Sequence, residues 1–416
     1  MINNDLITAI DLGTSKVTTL IAAKSKKKSL EVVGFGHAKS NGIKKGSIEN
    51  VSLAVDSIKN SFSQAIDMAQ GYSDSIYISI SGAHIGFENR EDYFSQVGYQ
   101  GVITYDEIMS IPQEVNLKAR NEFREIIHTF PFRYKIDGHG GIVDPVGMHA
   151  RGIEVSTHLV TANLEQTNLI RDALGGAGLS VEKFIFQPLA DYYSSSNINH
   201  EKVNSVMINI GKGTTDIAVF NRGNMVYLSV IPVGGFQFTN DIALTYNMSY
   251  DEAENLKLRY GHTSPGSIDI HEEISINVIG STTSINIRRR DLAQLMRERA
   301  LELIRLVDIK LRHAGIKEDP NTVVNITGSA SDLSGFFEMI DQYIPNSIIQ
   351  KNHINSKIIF PEALQVDQFT TALGLLTYGN NDLNQNLHFA DIKNKQFRSD
   401  NSKNKIFEKI KTTLKI

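Results

Sequence analysis

The strongest constraint on the fold of this chain is a strand-turn-strand unit that occurs twice, about 200 residues apart. The first copy, Leu6-Ile-Thr-Ala-Ile-Asp11-Leu-Gly13-Thr14-Ser15-Lys16-Val17, is an apolar run that breaks at a Gly/Thr/Ser turn, and strand character returns over residues 17–23. The second, Val206-Met-Ile-Asn209-Ile-Gly211-Lys212-Gly213-Thr214-Thr215-Asp216-Ile217-Ala-Val-Phe220, has the same layout. Aligning the tips sets Asp11 against Asn209. A unit repeated once at this separation predicts a duplicated α/β domain; a solenoid would show a period of roughly 20–50 residues. Helical periodicity over residues 48–68, 251–260 and 291–313 alternates with the strand-rich segments, as an α/β architecture requires.

Each tip carries the chemistry of an anion cradle. Glycine lets backbone approach a ligand closely, successive small residues expose N–H groups, and Thr and Ser hydroxyls add donors. A carboxylate just before the turn, as at Asp11, can orient the waters that Mg²⁺ keeps when it binds phosphates. Either tip alone is also an ordinary hairpin turn; the matched pair is what points to a ligand. No G-x-x-x-x-G-K-[ST] loop is present, so a nucleotide would sit between the hairpins and not on a P-loop.

Composition narrows the class. The 416 residues, 41% hydrophobic, suffice for a sizeable core divided into two or more lobes. Forty-two basic against 46 acidic side chains give no global field for nucleic acid or membrane, so any attraction to a polyanion is local, and no nucleic-acid partner is expected. With no cysteine, disulfides and thiolate metal sites are excluded and a reducing cytosol is the expected setting. The first eleven residues lack the pattern of a signal peptide, and no apolar run approaches 18 residues. Neither H-E-x-x-H, G-x-S-x-G nor an EF-hand spacing occurs. Arg288-Arg289-Arg290 is short and reads as a solvated helix start.

A family resemblance follows from these segments in their order. Ile10-Asp11-Leu12-Gly13-Thr14-Ser15-Lys16-Val17 resembles the phosphate-1 hairpin, and Gly213-Thr214-Thr215-Asp216-Ile217-Ala-Val-Phe220 the phosphate-2 hairpin, of the actin, Hsp70 and sugar-kinase superfamily. Ile231-Pro-Val-Gly234-Gly235, Thr239-Asn-Asp-Ile-Ala243 and Ala253-Glu254-Asn-Leu-Lys257-Leu-Arg-Tyr-Gly261 are further matches, and Ile326-Thr327-Gly328-Ser329-Ala330 is similar to the adenosine motif. Ser81-Gly-Ala-His-Ile85 and Asp144-Pro-Val-Gly-Met148 resemble the flanks of a subdomain that marks the FtsA branch. The match covers most of residues 5–380.

The resemblance implies an actin-like, ribonuclease H-like α/β fold of duplicated domains with a nucleotide cleft and an inserted FtsA-type subdomain. On this pattern residues 1–83, 162–203 and 370–380 form lobe 1 (1A), 84–161 the insertion (1C), 204–235 and 308–369 lobe 2 (2A), and 236–307 subdomain 2B. It further implies that ATP or ADP contacts Asp11, Gly13, Thr14, Ser15, Lys16, Gly211, Lys212, Gly213, Thr214, Thr215, Asp216, Gly234 and Gly235 around the phosphates. Glu254, Lys257, Gly328 and Ser329 would lie around the nucleoside; outside such a site, Glu254 and Lys257 would be an ordinary exposed i,i+3 ion pair. Asp11, acting through water, would hold the metal and serve catalysis, with Gln187 of the Phe186-Gln187-Pro188 segment helping to place a water. The implied role is a division protein that polymerises, anchors FtsZ to the cytoplasmic face of the inner membrane at the division site and recruits later division proteins. A pilus-assembly scaffold of the PilM type and a superfamily sugar kinase are the alternatives.

Three positions depart from the family pattern. Asn209 stands where the family has aspartate, which removes the charge that would hold Mg²⁺-bound water; Lys212 stands for glycine and brings a positive charge toward the phosphates. Nucleotide binding is therefore expected to survive with weakened Mg²⁺ support and slow or absent hydrolysis. Ser329 replaces the second glycine of the adenosine motif, so a positive φ there would be strained.

The tail forms a separate unit. Residues 381–404 are polar and read as a flexible tether. In residues 405–416, Ile406, Phe407, Ile410 and Leu414 share one helical stripe, with Lys405, Lys409, Lys411 and Lys415 outside it. That pattern predicts an interfacial helix lying on an anionic lipid surface.

Overall fold

The computed structural model describes residues 5–24, 29–95, 101–142, 144–195, 204–221, 223–280, 283–316, 322–344, 347–354, 358–361 and 366–382. The amphipathic-helix residues Ile406, Phe407, Ile410 and Leu414, and Lys405, Lys409, Lys411 and Lys415, lie outside these, as do residues 383–404 of the tether.

The duplication seen in the sequence is a duplication of topology. In the first half Leu6–Leu12 and Lys16–Lys24 form an antiparallel hairpin that Leu30–Lys39 extends, while Ile76–Ile80 and then Lys183–Phe186 add parallel strands on the other side of Leu6–Leu12. In the second half Ser205–Ile210, Thr215–Asn221 and Asn224–Ile231 form the same antiparallel meander, with Val323–Thr327 and Ile348–Lys351 parallel beyond it. Ile358–Ile359 adds a sixth strand to the first sheet, beside Leu30–Lys39. Strands buried on both faces read as continuous apolar runs, which is why the two hairpins were legible. All six residues of Ser205–Ile210 are buried.

Between Ile76–Ile80 and Lys183–Phe186 the chain builds an inserted sheet, in the order Ile85–Ser95, Gly152–Asn163, Arg124–Ile136 and His139–Ile142, with every pairing antiparallel. Helix Tyr105–Lys118 belongs to this unit, where Ile111 and Val115 join Phe94, Ile153 and Leu159 in a separate core. Thr104 and Glu107 start that helix with reciprocal side-chain and backbone hydrogen bonds.

The three expected helices are found, and side-chain caps set the starts of two of them. Val51–Ala69 begins after Asn50, whose side chain accepts from Leu53 N–H, so the predicted start at 48 moves three residues on. Ser249 and Glu252 box the start of Tyr250–Tyr260. Arg289–His313 buries Leu292, Met296, Leu303 and Val307 against the second sheet's core.

Two helices pass between the lobes. Gln187–Ser194 leads from the first sheet toward the second, and residues 370–382, also helical, return to the first. They cross at Gly374: a Cβ there would lie 1.8 Å from the carbonyl oxygen of Ala190. No helix among the described residues is long and apolar enough to cross a membrane.

Candidate functional site

The two hairpin tips are closed in the same way and face each other. Gly13 N–H donates to Lys16 O (3.1 Å), and Gly211 N–H donates to Thr214 O (2.9 Å). A Cβ on Gly213 would fall 2.7 Å from Thr14 Oγ1 and 2.9 Å from Lys45 Cα, so the second tip touches both the first tip and the short Ile43–Lys44/Ser47–Ile48 hairpin. Thr14 Oγ1 in turn accepts from Gly46 N–H (3.2 Å).

Between the tips lies a cleft of about 420 Å³, reached by Asp11, Gly13, Thr14, Ser15 and Lys16 from one side and by Gly211, Lys212, Gly213 and Thr214 from the other. Gln187, Asn209, Gly328 and Ser329 also line it. A second compartment of about 280 Å³ adjoins it and shares Ser15, Lys212 and Ser329. Gly235, Phe238, Glu254, Lys257 and Leu333 form its walls. Thr215 and Asp216, which the sequence put among the phosphate contacts, are buried behind the tip and line neither compartment. Gly234 lines neither; it packs under the second tip, where a Cβ would fall 2.4 Å from Gly211 O.

Glu254 and Lys257 form a 2.9 Å pair at the edge of the second compartment, more buried than an ordinary surface i,i+3 pair. Thr239 Oγ1 donates to Glu254, and Lys257 Nζ donates to Thr239 Oγ1 (2.8 Å) and Gly235 O (3.3 Å). Burial works against the Glu254 carboxylate, but the hydrogen bonds from Thr239 and Lys257 outweigh it and hold its pKa below the usual range. Burial also lowers the pKa of Lys257, and there Glu254 only partly restores the charge. The pair therefore gives little net stability and instead fixes two polar groups at the compartment wall.

Asp11 has its pKa raised by burial, opposed by a 2.6 Å hydrogen bond from Ser79 Oγ and by the charge of Lys16. Lys16, its own pKa lowered by burial, extends over Phe369 and donates to Gln368 Oε1 (3.3 Å). Lys212 Nζ rests 5.3 Å from the centre of the Tyr250 ring, at the boundary of both compartments. Gln187 Nε2 donates to Thr371 Oγ1 (3.5 Å). The strain expected at Ser329 is not found: the positive φ falls on Gly328 alone (+95°), where a Cβ would meet Ile210 O at 2.5 Å.

Several polar groups of the site were not singled out from sequence. Asp191, fully buried on Gln187–Ser194, accepts from Asn209 Nδ2 (2.6 Å) and Thr371 Oγ1 (2.8 Å). Burial raises its pKa to about 7, with those hydrogen bonds opposing and Asp11 and Asp216 adding to the rise. A signal existed: an acid in the otherwise apolar run Leu189-Ala190-Asp191-Tyr192 must be buried and so needs donors. Ser81 Oγ and Thr214 Oγ1 both donate to Asp216 (2.7 and 2.8 Å), tying the root of the inserted sheet to the second hairpin.

Burial raises the Asp216 pKa to about 6, against the hydrogen bonds from Ser81 and Thr214. The folded chain therefore holds a proton here over a range in which the unfolded chain has lost it, and this contribution to stability disappears as pH rises through about 6. Asp216→Asn removes the effect. Its thermal midpoint relative to wild type should rise between pH 5 and pH 8, by the equivalent of about 1 kcal/mol; parallel curves for the two proteins would show that Asp216 does not titrate in this way.

The cradle fits a nucleotide: two tips of small residues, with the hydroxyl residues Thr14, Ser15 and Thr214 and the cations Lys16 and Lys212, line one cleft, with an adjoining half-apolar compartment. The fit to a divalent cation is thinner. Asp11 and Asp332 are the carboxylates lining the phosphate compartment among the described residues, and Asp332 is exposed and paired with Lys351. Asp11 can hold a hydrated cation through water, while the matching position on the second hairpin offers the carboxamide of Asn209.

Duplicated meanders around such a cleft define an actin-like α/β protein. The fold is shared with the PilM-PilN type IV pilus biogenesis complex (TM-score 0.64, 15% identity, 90% of this chain and 98% of that one) and with MreB5 of Spiroplasma citri bound to ADP (TM-score 0.54, 14% identity, 92% and 99%). The family model for cell division protein FtsA matches residues 206–374, and that for the SHS2 domain inserted in FtsA matches residues 82–161, together more than half of the chain. Cell division protein FtsA of Pseudomonas aeruginosa is 27% identical over 420 residues, covering 98% of this chain and 96% of its own length; that of Escherichia coli K12 is 28% identical over 381 residues, with 90% of each covered. The chain belongs to the FtsA family of cell division proteins.

Proposed function

We propose that this protein is a nucleotide-binding adaptor that polymerises in an actin-like manner and ties the FtsZ ring to the cytoplasmic face of the membrane at the division site, where it recruits later division proteins. The observation that carries the nucleotide part is the contact of the two tips across one cleft, Gly213 against Thr14. The solved relatives add support, since MreB5 of Spiroplasma citri is described with ADP and with AMPPNP, and MamK as a double helical filament (TM-score 0.50). ATP or ADP would lay its phosphates between Gly13–Lys16 and Gly211–Thr214 and its nucleoside against Glu254, Lys257 and Gly328. Asp11 would hold the waters of a cation that screens phosphate charge. With Asn209 opposite, hydrolysis would be slow or absent.

The subdomain limits read from the sequence, 1A, 1C, 2A and 2B, belong to this proposal. So does the membrane contact of residues 405–416. A twelve-residue basic amphipathic segment binds anionic lipid weakly by itself, and many such segments along one filament bind tightly through their effective concentration. Pelleting with phosphatidylglycerol vesicles should therefore be strong for the full chain with ATP and lost for a chain ending at Asn404. Equal pelleting of the two chains, or pelleting of neither, would refute the tail as the anchor; the second outcome would favour a scaffold of the PilM type, to which the fold is similar.

A further inference from the structure

The duplicated hairpins differ at several cleft-lining positions, and at one of them what lies behind the side chain explains the difference. Two residues before each tip glycine stand Asp11 and Asn209. Behind Asp11 is a hydroxyl, Ser79 Oγ, which donates to the carboxylate. Behind Asn209 is a second carboxylate, Asp191, 2.6 Å from the amide nitrogen. Asp191 is fully buried and does not line the cleft, whereas Asn209, 3% exposed, does.

The chemistry of the pair is directional. Asp191 accepts from donors at both of its oxygens, and the atom of residue 209 that faces it is the amide N–H. The carboxamide oxygen is thereby turned the other way, beside Gly211 and Gly328, where a Cβ on Gly328 would approach it to 2.6 Å. Thr371 Oγ1 takes the other oxygen of Asp191 (2.8 Å), and Asn352 Nδ2 donates to its backbone carbonyl (3.3 Å). The carboxylate thus joins the connecting helix, the second sheet and helix 370–382 at one point. An aspartate at 209 would set two carboxylates at hydrogen-bond distance, where they cannot both ionise.

We propose that Asp191 and Asn209 are an exchanged acid-amide pair: Asp191 is a positioning residue that fixes the carboxamide of Asn209 and keeps the negative charge out of the cleft, so that phosphates bind there with little need of a divalent cation. The inference rests on the nucleotide reading above. A second carboxylate beside the phosphates would repel them and require a cation between; a neutral carboxamide does not.

The test is a cycle of Asn209→Asp, Asp191→Asn and the reciprocal double variant, read by thermal melting and by fluorescence titration with mant-ADP in EDTA and in Mg²⁺. Asn209→Asp alone should melt lowest, and lower at pH 8 than at pH 6. The double variant should recover most of that loss, because it restores one acid facing one amide. Wild type should bind mant-ADP with affinities in EDTA and Mg²⁺ within about threefold of each other, whereas the double variant should lose about tenfold or more in EDTA. A wild type as Mg²⁺-dependent as the double variant, or a double variant melting at the sum of the two single losses, would overturn the exchange. If wild type bound no mant-ADP in either buffer, the nucleotide reading would fail; the melting cycle would still decide the pair, with recovery supporting it and additive loss refuting it.

Discussion

Replacing Gly374 with valine should cost about 3 kcal/mol or more and lower the thermal midpoint by roughly 6–12 °C. The reason lies in the crossing of the two helices between the lobes. A Cβ at 374 would lie 1.8 Å from Ala190 O and 2.4 Å from Ala190 C, and these are backbone atoms of a helix that cannot turn aside as a side chain can. Relief requires one helix to move by an ångström or more, which would disturb the neighbouring Asp191–Thr371–Asn209 hydrogen bonds. Even alanine should be destabilising here, although in an open helix it gains about 1 kcal/mol over glycine. Gly175, in helix Leu164–Gly176 with nothing within 4 Å of a Cβ, is the control. Gly175→Ala should be neutral or stabilising, and melting curves that treated Gly374→Ala and Gly175→Ala alike would contradict the close crossing.

The second large effect is on the ligand and not on the fold. Gly213→Val places branched carbon where Thr14 Oγ1 and the backbone of Lys45 already lie at 2.7–3.0 Å, so the tips must separate. Separation removes the shared cradle that brings both sets of N–H groups to one ligand, and the loss in affinity should be about a hundredfold or more, equivalent to ~3 kcal/mol. Because the tips lie at the cleft and not in either hydrophobic core, the melting temperature without ligand should move by only a few degrees. Unchanged affinity in Gly213→Val would mean that nucleotide does not bind between the tips.

The parts of this molecule that were legible in sequence are those fixed by local chemistry. The two apolar runs broken by Gly/Thr tips give the hairpins, and the periodicity of residues 291–313 gives a helix observed as Arg289–His313. The duplicated α/β architecture followed from the spacing of the tips, and its actin-like character was what the resemblance of the tips and neighbouring motifs implied. The polar interior was not legible, because it is assembled from remote segments. Asp191 meets Thr371 across 180 residues, and Ser81 meets Asp216 across 135. The Ile43–Lys44/Ser47–Ile48 hairpin carries no anion-binding pattern of its own, yet it supports Thr14 through the N–H of Gly46. Ser329 was expected to be strained because glycine is usual there; the chain places the left-handed residue one position earlier, at Gly328, so serine is tolerated. Lys212 lines the phosphate cleft as expected, but its partner was not legible. Its ammonium lies over Tyr250, a contact that depends on a helix 38 residues further on.

The most direct measurement is calorimetric titration of ATP and of ADP into the full chain, in parallel with Gly213→Val. Saturable binding of each nucleotide at a single site, with ADP displacing ATP and the variant losing the signal while still folding cooperatively, is the predicted result. Absence of saturable binding at millimolar nucleotide, or binding that the variant retains in full, would contradict a nucleotide cleft between the duplicated hairpins.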